Sequence, residues 1–141
     1  MILSEVGADM TRFPSAAHLA SWSGLCPGHH ESAGKRRSGR TRKGSPSLCA
    51  ALIEAAQASA RTKSYLADQY HHLAARRGRK RALVAVAHSI IRIVYELLTR
   101  DADYRDLGVH YLDERRRGRT TRRLVRRLQS LGFVVTLDPA A

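Results

Sequence analysis

The sequence predicts an all-α fold, a compact helical bundle around one hydrophobic core. The chain has 141 residues, of which 43% are hydrophobic, and this is enough material for one core. Apolar residues recur at the spacing of one helix face in several segments, and serine, proline and glycine mark where those segments begin and end. We therefore divide the chain into a helical domain, residues 1–100, and a basic carboxy-terminal extension, residues 101–141.

Two helices are predicted in the first half of the helical domain. Ser15 is a candidate N-cap for a short helix that stops at Gly24. Ser45 repeats this start signal with proline at the first helical position, and a helix of about residues 47–62 follows it. Small and apolar residues occupy one face of the second helix, a pattern that favours close packing against a neighbour.

Two further helices complete the domain. One begins at Ser64 and ends near Gly78. The next covers about residues 81–99 and is apolar on nearly all sides, so we expect it at the centre of the bundle. It contains His88, Arg92 and Glu96. The apolar run is therefore too polar for a membrane span, and it is also too short for one. We interpret it as the core helix of a soluble protein.

The extension begins with a polar connection, residues 101–118, in which Asp101, Asp103 and Asp106 are interpreted as connecting residues and not as magnesium ligands. Thr120 or Thr121 is predicted to cap a helix that ends at Gly132. Residues 133–137 are predicted to form a short strand or an extended tail. The apolar residues of the helix are expected to face inward: Leu124, Val125, Leu128 and Leu131.

The charge of the chain predicts a nucleic-acid partner. Lysine and arginine number 25 against 12 acidic residues, which gives a net charge of +13. Nineteen of the 25 basic residues fall in three blocks, residues 35–43, 76–81 and 115–127, and such clustering is typical of a surface that contacts phosphates. A basic membrane-binding helix is disfavoured, because the apolar face of the last helix has no Trp or Phe. The candidate nucleic-acid-binding residues are Lys35, Arg36, Arg37, Arg40, Arg42, Lys43, Arg76, Arg77, Arg79, Lys80, Arg122, Arg123, Arg126 and Arg127.

A long basic loop, residues 26–46, joins two of the helices and holds the candidate nucleophiles. Its glycines let the backbone approach a ligand closely, and its basic residues can neutralise phosphate charge. Ser32 and Ser38 are the two serines that could attack a phosphate there. His29 or His30 could act as a base, although phosphate contact or a solvated turn is the favoured interpretation of this pair.

We predict no metal and no cofactor in this chain. His71 and His72 have no cysteine or clear acidic partner at ligand spacing, so zinc is not expected. Cys26 and Cys49 are not in a CxxC spacing, and we expect both to be reduced in a cytoplasmic protein. The first residues lack the features of a signal peptide.

The order and spacing of several short motifs resemble the carboxy-terminal transposase domain of the insertion-sequence one-hundred-and-ten family. Nearly the whole chain takes part in this resemblance. The motifs are Phe13-Pro14-Ser15-Ala16, Leu19-Ala20, Gly24-Leu25, Pro27, Glu31-Ser32-Ala33-Gly34-Lys35, Arg42-Lys43-Gly44, Leu48, Ala51-Leu52, the run from Arg81 to His88, and the closing runs from Leu124 to Leu128 and from Leu131 to Leu137.

The resemblance implies a DNA recombinase that cleaves and rejoins DNA. In that family a RuvC-like domain with four metal-binding carboxylates, which would use Mg²⁺, is paired with a helical domain that supplies a nucleophilic serine. The motif position identifies this serine as Ser32, whose hydroxyl would form a phosphoserine joint with DNA. The resemblance also implies a structured guide RNA and a homo-oligomer with shared active sites.

This sequence departs from the family pattern in three places. Residues 2–7 look like the second half of a helix-hairpin-helix without its Pro-Gly turn. The carboxylate domain is missing before them, so we expect a truncated fragment that is inactive alone. Ser45 and Cys49 replace an asparagine and an arginine of the family pattern. The alternative hypothesis is a noncatalytic basic module that binds DNA or RNA.

Overall fold

The computed structural model describes residues 2–28 and 30–138, except for the side chains of His30, Arg36 and Arg37. Within these residues the chain is mostly helical, which confirms the all-α prediction. One 3-10 turn, Met10–Arg12, lies between the first two helices. The helices are α1 Ile2–Val6, α2 Ala16–Trp22, α3 Pro46–Ser59, α4 Tyr65–Arg77, α5 Arg79–Arg100 and α6 Tyr111–Ser130, and the strands are β1 His30–Ser32 and β2 Lys35–Ser38.

Serine caps fix the starts of α3 and α4, as the sequence predicts. The Ser45 hydroxyl accepts a hydrogen bond from the Leu48 N–H at 3.3 Å, and the Ser64 hydroxyl accepts one from the Ala67 N–H at 3.3 Å. Each cap satisfies a backbone donor that has no partner inside its helix. Ser45 has a second role, because its hydroxyl donates to the carboxylate of Glu5 at 3.2 Å and so links α1 to α3.

Helix α5 is the centre of the bundle and packs against α2, α3 and α4. Ala82, Val86, Ala87 and Ile91 form its buried face. By length and composition α5 is the one described helix that could cross a membrane, but the apolar core helix of a soluble protein has the same composition. Its packing against three helices agrees with the predicted core role. The core cluster consists of Val6, Met10, Leu19, Ala20, Leu25, Leu48, Leu52, Ala56, Val86, Ala87 and Ile91.

The long basic loop folds as a two-stranded antiparallel ribbon, which we define as residues 26–42. β1 pairs with β2, Pro27 and Thr41 form a further bridge, and the Gly28 N–H donates to the Arg40 carbonyl at 2.7 Å. The turn is Ala33-Gly34, with φ of 51° and 71°. Two positive φ angles in a two-residue turn match the twist of a hairpin. The sequence did not reveal the turn, because alanine seldom adopts this conformation.

The extension differs from the prediction at its helix. α6 begins at Tyr111, well before Thr120 and Thr121, and Gly118 lies within it. One glycine costs a helix only about 1 kcal/mol, and the buried Leu112 anchors the first turn. The inward orientation is also wrong, because Leu124, Leu128 and Leu131 are 53%, 42% and 60% exposed, while Val125 is half-buried. The helix ends at Ser130, and the predicted stop, Gly132, follows two residues later with a φ of +89°.

No strand forms over residues 133–137 in the part of the chain that the structure describes. Five exposed or half-buried residues without a neighbouring strand cannot complete a hydrogen-bonded ladder. These residues follow the cap of α6, where the Phe133 N–H donates to the Leu128 carbonyl at 3.2 Å. The extended tail is therefore the correct one of the two predicted forms.

Asp106 ties the polar connection to the start of α4. Its carboxylate accepts hydrogen bonds from the Gly108 N–H at 2.7 Å, the Tyr104 hydroxyl at 2.9 Å and the Tyr65 N–H at 3.1 Å. Burial acts to raise the pKa of Asp106, but these three hydrogen bonds outweigh it and the pKa is lowered. The same contact raises the pKa of Tyr104 to about 12, with burial as the larger cause. Asp106 is thus a connecting residue, as predicted.

Candidate nucleic-acid interface

Ser32 lies at the tip of the ribbon, as the last residue of β1 before the turn. Its side chain is exposed, and it makes no hydrogen bond to the residues that the structure describes. Lys35 is its partner across the hairpin, and side chains of directly opposed residues lie on the same face of a ribbon. The geometry therefore presents the Ser32 hydroxyl to the solvent on the face of the ribbon that it shares with Lys35.

Ser38, the rival nucleophile, has a different environment. It is half-buried, and its hydroxyl oxygen accepts a hydrogen bond from the Arg40 N–H at 3.2 Å. This bond holds the hydroxyl oxygen against the backbone of its own strand. Of the two serines, Ser32 is the more accessible to a large substrate.

The remaining basic residues of the loop line the ribbon and its base. The described ones, Lys35, Arg40, Arg42 and Lys43, are all exposed. His29 lies outside the described residues, as do the side chains of His30, Arg36 and Arg37. Their predicted contacts with phosphate and the predicted base therefore stay predictions.

The base of the ribbon meets the first turns of α5 around a cavity of about 410 Å³, which we call the ribbon cleft. Pro27 and Thr41 line it from the ribbon, and Lys80, Arg81 and His88 line it from α5. Burial lowers the pKa of His88, and the nearby charge of Arg92 lowers it further. The ribbon cleft thus brings Gly39 and Thr41, within the first basic block, next to Lys80 and Arg81 of the second.

The turn between α4 and α5 carries the second basic block at the edge of the bundle. Arg76 and Arg77 end α4, Arg79 and Lys80 begin α5, and all four are exposed. Gly78 separates the two helices with a φ of +82°. Lys80 belongs to the ribbon cleft, whereas Arg76 lines a second cleft on the side of α6.

This second cleft, the arm cleft, lies between α4 and α6 and has a volume of about 730 Å³. Arg116, Arg119 and Arg123 line it from α6, and His71 and Arg76 line it from α4. Sequence reasoning missed Arg116 and Arg119, because it started the helix after them. Their spacing of i, i+3 and i+7 with Arg123 is the signal that would have placed them on one helix face. Arg122, Arg126 and Arg127 are exposed on α6 outside the residues that line the cleft.

An ion-pair cluster joins α4 to the start of α6. The His72 ring lies between two carboxylates, with Nδ1 3.0 Å from Asp68 and Nε2 3.2 Å from Asp113. The sequence-based statement that this pair of histidines has no acidic partner is therefore wrong: Asp68 precedes His72 by one helical turn, and only the fold brings Asp113 near.

Asp68, His72 and Asp113 have ligand atoms within 4.8 Å of one another. Magnesium prefers oxygen ligands in an octahedron, and a histidine that bridges two carboxylates does not fit the four-carboxylate site expected of a RuvC-like domain. The two ring nitrogens of His72 each contact one carboxylate, an arrangement that we call the His72 clamp. The prediction that this chain holds no metal stays a prediction.

The family of the chain follows from the region that contains α1 to α3, the ribbon and most of α4. A family model described as Transposase IS116/IS110/IS902 family matches residues 1–72. The chain belongs to the IS116/IS110/IS902 transposase family. The match includes Ser32 and the ribbon but ends before the turn between α4 and α5. Comparisons with curated proteins and with solved structures gave no match.

Membership of this transposase family gives the chain a role in transposition, with DNA as the partner. The resemblance drawn from the motifs is confirmed at this level. The ribbon lies within the matched region, whereas α5 and α6 lie outside it. The two clefts thus combine residues inside and outside the region that defines the family.

Proposed function

We propose that this chain is the serine-bearing domain of a DNA transposase, and that Ser32 is its nucleophile. The single observation that carries the proposal is the position of Ser32 at the ribbon tip, exposed and opposite Lys35. A nucleophile must approach a phosphorus atom in the backbone of a DNA strand. A projecting ribbon with basic residues along it can do so without forcing the helical bundle against the DNA.

The chemistry is a transesterification. The Ser32 oxygen forms a bond to phosphorus, the bond between phosphorus and a deoxyribose oxygen breaks, and the leaving oxygen takes up a proton. The phosphoester is conserved in a phosphoserine joint, which the leaving hydroxyl of another strand end can attack in turn. Lys35 neutralises charge that develops on the phosphate oxygens.

Activation of the serine requires help from outside the described residues, because a serine hydroxyl is a weak nucleophile alone. A RuvC-like partner domain with Mg²⁺ would supply metal-assisted activation of the phosphate. A guide RNA that selects the DNA sites and a homo-oligomer with shared active sites are part of the same proposal. The cytoplasm is the compartment we propose for the protein.

The test is a covalent trapping assay. The chain is combined with a RuvC-like domain of the same family, Mg²⁺ and a labelled DNA substrate whose scissile linkage carries a sulfur leaving atom, which slows reversal. We expect a protein–DNA adduct on a denaturing gel, with the modified peptide identified by mass spectrometry as the one that contains Ser32. Ser32→Ala should remove the adduct, while noncovalent DNA binding persists.

Ser38→Ala is the matched control, since it removes the same hydroxyl from the same ribbon. It should retain the adduct. An adduct that survives Ser32→Ala and disappears in Ser38→Ala would reassign the nucleophile to Ser38.

A noncatalytic nucleic-acid-binding module is the second candidate function, and the three basic blocks around the two clefts favour it. This function predicts salt-sensitive binding and no adduct at any serine. A wild-type chain that binds DNA tightly and never forms the adduct would support it over the catalytic proposal.

A further inference from the structure

We propose that the arm cleft binds the phosphodiester backbone of one strand of a duplex nucleic acid, as a contact surface separate from Ser32 and the ribbon. The inference rests on the proposed function for the kind of partner, and it adds a site most of whose lining residues lie outside the region matched by the family model. The cleft is lined by Arg76, His71, Arg116, Arg119, Thr120 and Arg123.

The charge of the cleft favours an anionic partner. Four arginines line one cavity, and none of them forms an ion pair with a carboxylate in the part of the chain that the structure describes. Arginine presents a planar set of donors that matches two phosphate oxygens at once. Like charges held together on a folded surface repel each other, and a bound polyanion relieves that repulsion.

The spacing of the arginines matches a nucleic-acid strand. Arg116, Arg119 and Arg123 are on one face of α6, and seven residues of helix rise by about 10 Å. One DNA strand carries a phosphate about every 3.4 Å along the helix axis, so the row is long enough to contact more than one phosphate. A cavity of about 730 Å³ can take a short stretch of one backbone but not a whole duplex.

One carboxylate, that of Asp113, also lines the cleft and would repel phosphate. The His72 ring lies 3.2 Å from the Asp113 carboxylate and 3.0 Å from the Asp68 carboxylate on α4. This contact holds the Asp113 carboxylate against α4. Arg116, Arg119 and Arg123 follow Asp113 along α6 and line the same cleft.

The test compares two double variants by fluorescence anisotropy. Arg116→Gln with Arg119→Gln removes two positive charges from the cleft. Arg12→Gln with Arg61→Gln removes two charges from exposed residues that line neither cleft. The probes are a labelled DNA duplex and an RNA duplex of equal length, and the salt is varied from about 50 to about 200 mM.

We expect the cleft variant to bind the duplex about tenfold or more weakly, since each arginine contributes a charge-assisted interaction with phosphate. The slope of log affinity against log salt should fall by about 0.9 for each DNA phosphate that the variant no longer neutralises. The control variant should keep the wild-type slope. Equal reductions of affinity in the two variants, or an unchanged slope in the cleft variant, would overturn the proposal.

Three further results decide the ligand and separate this proposal from the catalytic one. A reduction of affinity confined to one duplex identifies that backbone, DNA or RNA, as the ligand of the cleft. Polyglutamate that displaces the duplex from wild type as effectively as unlabelled duplex would overturn a site specific for nucleic acid. Ser32→Ala should leave the binding and the salt slope unchanged, so a failed trapping assay and a failed cleft assay are distinguishable.

Discussion

His88 shows how one residue at the base of the ribbon is controlled by its surroundings. It lines the ribbon cleft from α5 and is half-buried. Burial and then the charge of Arg92 lower its pKa, so the folded protein favours the neutral imidazole. The unfolded chain has no such preference and takes up a proton near the ordinary histidine pKa of about 6.5.

The lowered pKa predicts a direction for the pH dependence of stability. Between the unfolded and the folded pKa the unfolded state binds more protons, so the free energy of unfolding falls as the pH is reduced below about 6.5. His88→Gln should remove this contribution and make stability less dependent on pH. Urea denaturation at about pH 7.5 and about pH 5 measures the free energy of unfolding of both proteins.

The matched control for His88 is His110→Gln, because His110 is exposed and its side chain makes no capping bond to α6. It should keep the wild-type pH dependence. Parallel pH profiles for wild type and His88→Gln would contradict the assigned cause of the pKa shift.

At the scale of elements, the ribbon is held to the bundle by two glycines. Gly24 has a φ of +77° at the end of α2, and its backbone lies against that of Gly44. A Cβ on Gly44 would lie 2.6 Å from the Gly24 Cα and closer still to its nitrogen. The contact therefore fixes where the ribbon leaves the bundle.

Gly44→Ala is expected to destabilise the fold by about 1–3 kcal/mol, because backbone atoms cannot move aside as a flexible side chain can. It should also weaken DNA binding by displacing the ribbon from α5. Chemical denaturation and anisotropy measure the two effects. Gly39→Ala is the control within the same ribbon, since a Cβ there meets nothing within 4 Å, and a similar destabilisation in both variants would contradict the packing argument.

At the scale of the whole molecule, the chain consists of a packed bundle and an arm, which is helix α6. The bundle centres on α5, whereas α6 contacts α4 near its start and exposes Leu124 and Leu131 further along. The arm is anchored by Leu112, by an edge contact between the rings of Tyr65 and Tyr111, and by the His72 clamp. Its basic residues are thus carried on a helix with little support beyond the first turns.

Hydrogen exchange should reveal this difference. Amides in the buried part of α5, residues 86–91, should exchange with water much more slowly than those of α6 after Gly118, because local opening is easier where few apolar groups are buried. Leu112→Ala should speed exchange throughout α6 and leave α5 protected. Uniform protection along α5 and α6 would show that the arm is part of the cooperative core.

Local signals in the sequence determined much of the bundle. The serine caps at Ser45 and Ser64, Gly78 and the apolar pattern of α5 act within a few residues of where they occur, so they could be read without a fold. The basic blocks also predicted a polyanion partner. The start of α6 and the face that it buries were predicted wrongly. Both depend on how much core surface the other helices leave uncovered, which the local sequence does not indicate.

Only the tertiary structure decided which residues form the clefts. His72 and Asp113, or Thr41 and Lys80, are distant in the sequence and meet because α6 and the ribbon fold back onto α4 and α5. It also separated Ser32 from Ser38, since exposure at a turn and a backbone hydrogen bond are properties of the hairpin. The sequence by itself determined the helices and the total charge, because these follow from local spacing and composition. The arrangement of that charge around two clefts depends on long-range packing, which no local pattern encodes.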